Sequence, residues 1–279
     1  MTESGASIGG REVSRYALGH STDELERLET QARIVDPVTR RFWTAAGVMP
    51  GMRVLDVGCG AGHTTVLLAD MVGQHGQVVG IDNAAGAVAA ARALSEGHEN
   101  VDVVHGDPTR HGFGDRFDAV VGRYVLMFQP DPVSFVSAVA AHARPGGVVC
   151  FHELDANGVA SYPPVPTFDQ LVSWNTEVTR RYGANPNFGS SLQATFITAG
   201  LAKPLVLPES IHGQGSDAAD VLHQVRNLAR SLLVEMERFG VATSDQVGID
   251  TVLDRMMAEV LTANSIVVGH LQVGVYCSM

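Results

Sequence analysis

Lysine is almost missing from this chain. Of nineteen basic residues only Lys203 is a lysine, and thirty acids set the net charge at −11. Proteins that bind a phosphate backbone carry a basic surface, so this balance argues against a nucleic-acid substrate. Cysteine is scarce as well. Cys59, Cys150 and Cys277 are odd in number and far apart, which supports neither a disulfide framework nor a metal-ligand spacing. The eleven histidines contain no H-x-x-x-H, so no metal is expected. No run of about 20 apolar residues occurs. The first ten residues are polar and rich in Gly and Ser, with no basic segment leading into an apolar one. Together these absences predict no membrane span, no leader and a reducing, cytoplasmic setting.

What is present is an ordinary globular composition, 45% hydrophobic and 18% charged, over 279 residues. A chain of that length buries enough surface to need no disulfide. It is organised around Val54-Leu55-Asp56-Val57-Gly58-Cys59-Gly60-Ala61-Gly62. An apolar strand buried on both faces runs into a glycine turn, and the helix that follows directs free N–H groups toward the turn. A dinucleotide fingerprint requires G-x-G-x-x-G, but the residue after Gly62 is His63, which gives G-x-G-x-G. Asp56 inside the strand would repel a pyrophosphate and attract a cationic amino group.

Along the chain, the first 14 residues are small and polar and are expected to be flexible. Ser21 with Glu24 reads as a capping box. Asp36-Pro37 reads as the end of one helix and the cap of another, so a helical pair is expected before the glycine strand. A second strand closes at Asp82, and an alanine-rich helix spans Ala84 to Leu94. A third strand ends in Gly106-Asp107-Pro108, and a fourth covers Phe117 to Gly122. After a helix over Pro132 to Ala143 and the Arg144-Pro145-Gly146-Gly147 turn, a fifth strand spans Val148 to His152. Strands alternating with helices at this pitch specify a parallel, doubly wound α/β sheet.

The glycine motif D-x-G-x-G-x-G resembles motif I of the class I S-adenosylmethionine-dependent methyltransferases. The acid ending the second strand, the acid after the third, and R-P-G-G before the fifth are similar to the same family over residues 52–155. Within it, the closest likeness is to the small-molecule enzymes of the ubiquinone/menaquinone-biosynthesis type. The resemblance implies a seven-stranded, mostly parallel sheet. Ser191 to Leu201 would then be the helix before the sixth strand, and Ile266 to Ser278 an antiparallel seventh strand. A single methyltransferase domain over 15–279 is expected, with helical cover at 15–47, 162–182 and 216–262. The N-terminal or inserted helices offer faces for a homo-oligomer.

By the same resemblance, S-adenosyl-L-methionine would sit over Gly58, Gly60 and Gly62 and leave as S-adenosyl-L-homocysteine. Asp56 would meet its amino end and Asp82 its ribose hydroxyls. Asp107 with Pro108 would meet the adenine, the alternative for Asp107 being an ordinary turn acid. Asn83 either touches the adenine edge or caps the next helix. Arg123 either approaches the methionine portion or pairs with an acid. Tyr16 resembles an aromatic that closes over the cofactor, and the alternative is a core tyrosine. His152 and Glu153, read as the rim of the fifth strand, are candidate catalytic groups together with Tyr16. Histidine suits a general base, against the alternative of packing under the cover. The expected activity is methyl transfer to a small molecule, with a carbon centre of a specialised metabolite as one acceptor. The rival readings are a protein of this fold that binds the cofactor without transfer, and a nicotinamide-dependent oxidoreductase.

Overall fold

The computed structural model describes residues 22–279 and, within them, the side chains of residues 32 and 34–279. Tyr16, the N-terminal 14 residues and the Ser21–Glu24 capping box lie outside these. The first described element, α1 (Thr22–Ala46), is one continuous helix with Pro37 inside it, which corrects the expected pair. Proline's fixed φ suits a helix, and its missing N–H removes one bond of the ladder. Asp36 caps nothing here and gives its carboxylate to Arg123 instead. Val35, Val38, Phe42 and Trp43 return on one face of the helix and are buried.

Next come β1 (Arg53–Val57), α2 (His63–Val72), β2 (Gln77–Asp82), α3 (Ala85–Leu94), β3 (Val101–His105) and β4 (Phe117–Arg123). They are followed by α4 (Pro132–Ala140), β5 (Ala143–Asp155), β6 (Ala160–Tyr162), α5 (Pro166–Arg181), α6 (Leu192–Thr198) and β7 (Leu205–Gln214). The chain ends with α7 (Ala219–Arg238), α8 (Ser244–Val247), α9 (Val252–Ala263) and β8 (Ile266–Ser278). The sheet order is β3-β2-β1-β4-β5-β8, with β7 also paired to β8. Strands β1 to β5 pair in parallel, and β8 runs antiparallel to β5 and β7. The mostly parallel α/β sheet is therefore as expected, with one short strand added. That strand, β6, pairs with β8 at residues 266–268, beyond the last β5 partner at Leu271.

Two layers cover the sheet. Trp43 of α1 and Leu67, Leu68 and Val72 of α2 pack on one face with Val54, Val78 and Val121. Phe135 and Val139 of α4 and Leu192 and Phe196 of α6 pack on the other with Leu55, Val120 and Phe151. At Gly274 the first layer comes very close, since a Cβ there would lie 2.7 Å from the Phe42 ring. The inserted helices form a third apolar cluster of their own. In it Phe168, Leu171 and Val178 of α5 meet Val221, Val225 and Leu232 of α7 and Met256 and Val260 of α9. These helices are thus a packed unit. Phe168 and Phe188 are buried core residues. Gly248, at φ 57°, ends α8 and separates it from α9.

Candidate functional site

The strand order reverses between β1 and β4, and in open α/β sheets the crevice at that point receives ligands. The glycine turn sits there. Gly58, Gly60 and Gly62 have φ of 67°, 54° and 92°, a left-handed region that side chains disfavour. A Cβ on Gly60 would meet nothing within 4 Å, so the turn presents bare backbone to open space. The turn is tied to the end of β2, where Gly58 and Cys59 donate to the Ile81 carbonyl at 2.8 and 3.1 Å. Gly60 N–H donates to Asp82 Oδ2 at 3.0 Å.

Asp56 lies beneath this turn and is fully buried. Its Oδ2 accepts the hydroxyls of Thr64 and Thr65, both at 2.7 Å. Its Oδ1 has no partner among the described residues. Burial pushes the carboxyl up to about 6, with the two threonine hydroxyls and the Arg123 charge pulling the other way. A buried acceptor with an open lone pair is costly, and a cationic amino group would satisfy it. Asp82 holds the turn and the start of α3 together, because its Oδ1 accepts from Ala84 N–H at 2.9 Å. Asn83, the other residue considered for a cap, is not the N-cap of α3, which is Ala84 with no side-chain cap bond; Asn83 is exposed, and its carbonyl lies 3.1 Å from His105 Nε2.

Asp107 is exposed and folded onto its own turn, accepting Thr109 N–H at 2.9 Å and the Thr109 hydroxyl at 2.7 Å. The Thr109 hydroxyl is the main cause that holds its carboxyl below the ordinary range. Pro108 is buried, and its carbonyl lies 2.8 Å from His142 Nε2. Arg123, at the end of β4, is nearly buried and ion-paired with Asp36 at 2.6 Å. Its Nη1 also donates to Thr39 Oγ1 at 3.1 Å.

His152 and Glu153 are not on the rim. β5 runs on to Asp155, and both side chains are fully buried. His152 lies edge-on to Phe42 at 4.9 Å and tilted to Tyr124 at 5.3 Å. Its Nε2 is 2.9 Å from Gln272 Oε1 and its Nδ1 is 3.1 Å from Thr39 Oγ1. Gln272 Nε2 donates to the His270 carbonyl at 2.9 Å, which turns its oxygen toward His152 and requires the proton on Nε2. Tyr124 donates to the same oxygen. Burial, followed by the Arg123 charge, lowers the imidazole to about 3. The ring is therefore neutral, with both nitrogens engaged. Glu153 points to the opposite face, as strand alternation dictates. There its Oε1 accepts from the Val125 and Leu126 amides at 2.9 and 2.7 Å.

The family model described as a methyltransferase domain matches residues 49–193, slightly over half of the chain. The chain belongs to the methyltransferase domain family. Demethylmenaquinone methyltransferase of Staphylococcus aureus (strain MRSA252) is 34% identical over 133 residues, which are 47% of this chain and 53% of that protein. Aklanonic acid methyltransferase DauC of Streptomyces sp. (strain C5) is 35% identical over 138 residues, 48% of this chain and 62% of that protein. The chain spans about half the length of the curated relatives it matches. The solved structure of a SAM dependent methyltransferase from Aquifex aeolicus aligns with 68% of this chain and 93% of its own. Its TM-score is 0.52 at 20% identity, a likeness of fold.

The residues of this methyltransferase-family chain fit S-adenosylmethionine. The open Oδ1 of Asp56 suits its amino group, the space over Gly60 lets it reach the backbone, and Asp82 stands at the end of the neighbouring strand. Sequence reasoning missed Thr64 and Thr65, although two hydroxyls directly after the glycine turn were a legible signal. It also missed Gln272, whose signal was a lone amide in an apolar strand. Asp36, Thr39 and Tyr124 left no such sign. A cleft of about 570 Å³ lined by Gln170, Trp174, Arg180 and Val241 lies between α5 and the end of α7 and shares no residue with the turn. Among the described residues, no His/Cys/Asp/Glu cluster could hold a metal and no helix is long and apolar enough to cross a membrane.

Proposed function

We propose that this chain transfers a methyl group from S-adenosylmethionine to a small-molecule acceptor. The observation that carries this reading is the half-satisfied carboxylate of Asp56 under three left-handed glycines, at the point where the strand order reverses. The cofactor supplies a methyl group activated by its sulfonium charge, which passes to the acceptor and leaves S-adenosylhomocysteine. The protein's share is alignment and exclusion of water. Asp56 holds the amino end, Asp82 the ribose, and Asn83, Asp107 and Pro108 border the adenine. Arg123, paired to Asp36, joins the β4 exit to α1, and the inserted helices close the acceptor side.

The acceptor we favour is an electron-rich carbon of a specialised metabolite. Both nitrogens of His152 are engaged, and its neutral ring lies well below the pH range in which it would take a proton. A carbon nucleophile needs no base before the methyl moves, and the proton it carries at that carbon is lost to solvent afterwards. The relatives' names, demethylmenaquinone and aklanonic acid methyltransferase, support a small-molecule acceptor. The test is incubation with S-adenosylmethionine carrying a deuterated methyl group and a metabolite extract. A product heavier by one labelled methyl is expected, and its fragmentation assigns the methylated atom. Label found on oxygen or nitrogen would refute the carbon assignment. Binding of S-adenosylhomocysteine with no labelled product from any extract would favour a non-transferring protein.

A further inference from the structure

Glu153 is a carboxyl set in an otherwise apolar layer, with Phe151 on its own strand and Val273, Val275 and Leu126 in the same cluster. An acid in such surroundings is retained only where it satisfies other groups. Its Oε1 takes two amides, Val125 N–H and Leu126 N–H, while its Oε2 has no partner among the described residues. Those amides open the 3-10 turn Leu126–Phe128 that leaves β4. The preceding residue, Tyr124, has φ 57°, an uncommon conformation for a bulky side chain. The loop therefore turns sharply and is anchored at once by a buried acid. Val125 then faces the cofactor turn, since a Cβ on Gly58 would lie 2.8 Å from Val125 Cγ2. Contact runs without a gap from the Glu153 carboxyl through two amides and one valine to the first glycine.

We propose that Glu153 is a positioning residue of the cofactor site. By holding the Val125 and Leu126 amides it seats Val125 against Gly58 and fixes the turn that receives the methionyl end of the cofactor. The inference rests on the methyltransferase reading above, and it gives Glu153 no contact with the reacting atoms.

The test is calorimetric titration of S-adenosylhomocysteine into wild type, Glu153→Gln, Glu153→Ala, Val125→Ala and the Glu153→Ala/Val125→Ala double variant. Glutamine keeps a carbonyl that accepts both amides, so Glu153→Gln should bind within about threefold of wild type. Glu153→Ala should bind about tenfold more weakly, and Val125→Ala several-fold more weakly. The double variant should lose no more than Glu153→Ala alone, because both changes act through one contact. Wild-type affinity in Glu153→Ala, equal weakness in Glu153→Gln and Glu153→Ala, or multiplied losses in the double variant would each overturn the proposal. Should Glu153→Ala not fold, Val125→Ala decides, and full affinity there overturns it. No heat from wild type would overturn the methyltransferase reading and this inference with it, whereas the other failures leave that reading standing.

Discussion

Replacing Asp56 with asparagine separates what this residue does for the ligand from what it costs the fold. The carboxamide oxygen can keep both threonine hydroxyls, which lie 2.7 Å from Oδ2. Its NH₂ then takes the place of the unpartnered Oδ1. In the free protein, burial holds the carboxyl near 6 in place of the ordinary 3.8, so ionising it at pH 7 costs on the order of 3 kcal/mol. The sign follows from the raised value: the stability linked to the protonated form is complete below about pH 4 and lost as pH rises through 6. Asparagine does not ionise. Asp56→Asn should therefore be the more stable protein at pH 7, by up to about 3 kcal/mol, with the advantage gone near pH 4. Ligand binding should move the other way. Loss of a bond between charged groups is worth about 1.5–3 kcal/mol, or about a 10–150-fold weaker grip on S-adenosylhomocysteine at pH 7.5. Wild-type affinity should also fall as pH drops through about 6, while the variant's stays flat. Urea unfolding and calorimetry at pH 5.5 and 7.5 measure both effects. A variant that binds as tightly as wild type, or shares its pH dependence, would refute this role for Asp56.

Three further outcomes are expected. Gly60→Val should fold, since nothing lies within 4 Å of its Cβ. It carries left-handed strain of about 1–2 kcal/mol and should lose S-adenosylhomocysteine binding in calorimetry. Gly274→Ala should lose about 1–3 kcal/mol in urea unfolding, because its methyl would overlap the Phe42 ring and displace α1; unchanged stability would mean α1 packs elsewhere. His152 should show a neutral ring with the proton on Nε2 from pH 5 to 8 in nitrogen-15 NMR. A midpoint near 6.5 would restore it as a candidate base.

Much of the sheet was legible because its signals are local. β1 to β4 are apolar runs closed by glycine, proline or an acid, and β8 was read with the bounds it has, Ile266–Ser278. What went unread depends on partners far along the chain. The polar sequence His152-Glu153 looked like a strand end, but Thr39 and Gln272, 113 and 120 residues away, make the histidine a core residue. Asp36-Pro37 looked like a boundary because its salt bridge to Arg123 spans 87 residues. The glycines, Asp56 and Asp82 stand in the turn, in β1 and at the end of β2 as expected, since one strand–turn–helix and the end of the adjacent strand fix them. The polar cluster around His152 stayed unread because it is assembled from α1, β4, β5 and β8, which share no sequence neighbourhood.

The most direct measurement is a calorimetric titration of the wild-type chain at pH 7.5 with S-adenosylhomocysteine and, separately, with NADH. The glycine turn and Asp56 call for saturable binding of one S-adenosylhomocysteine per chain and no heat from NADH. Binding of NADH, or silence toward S-adenosylhomocysteine, would contradict the central claim.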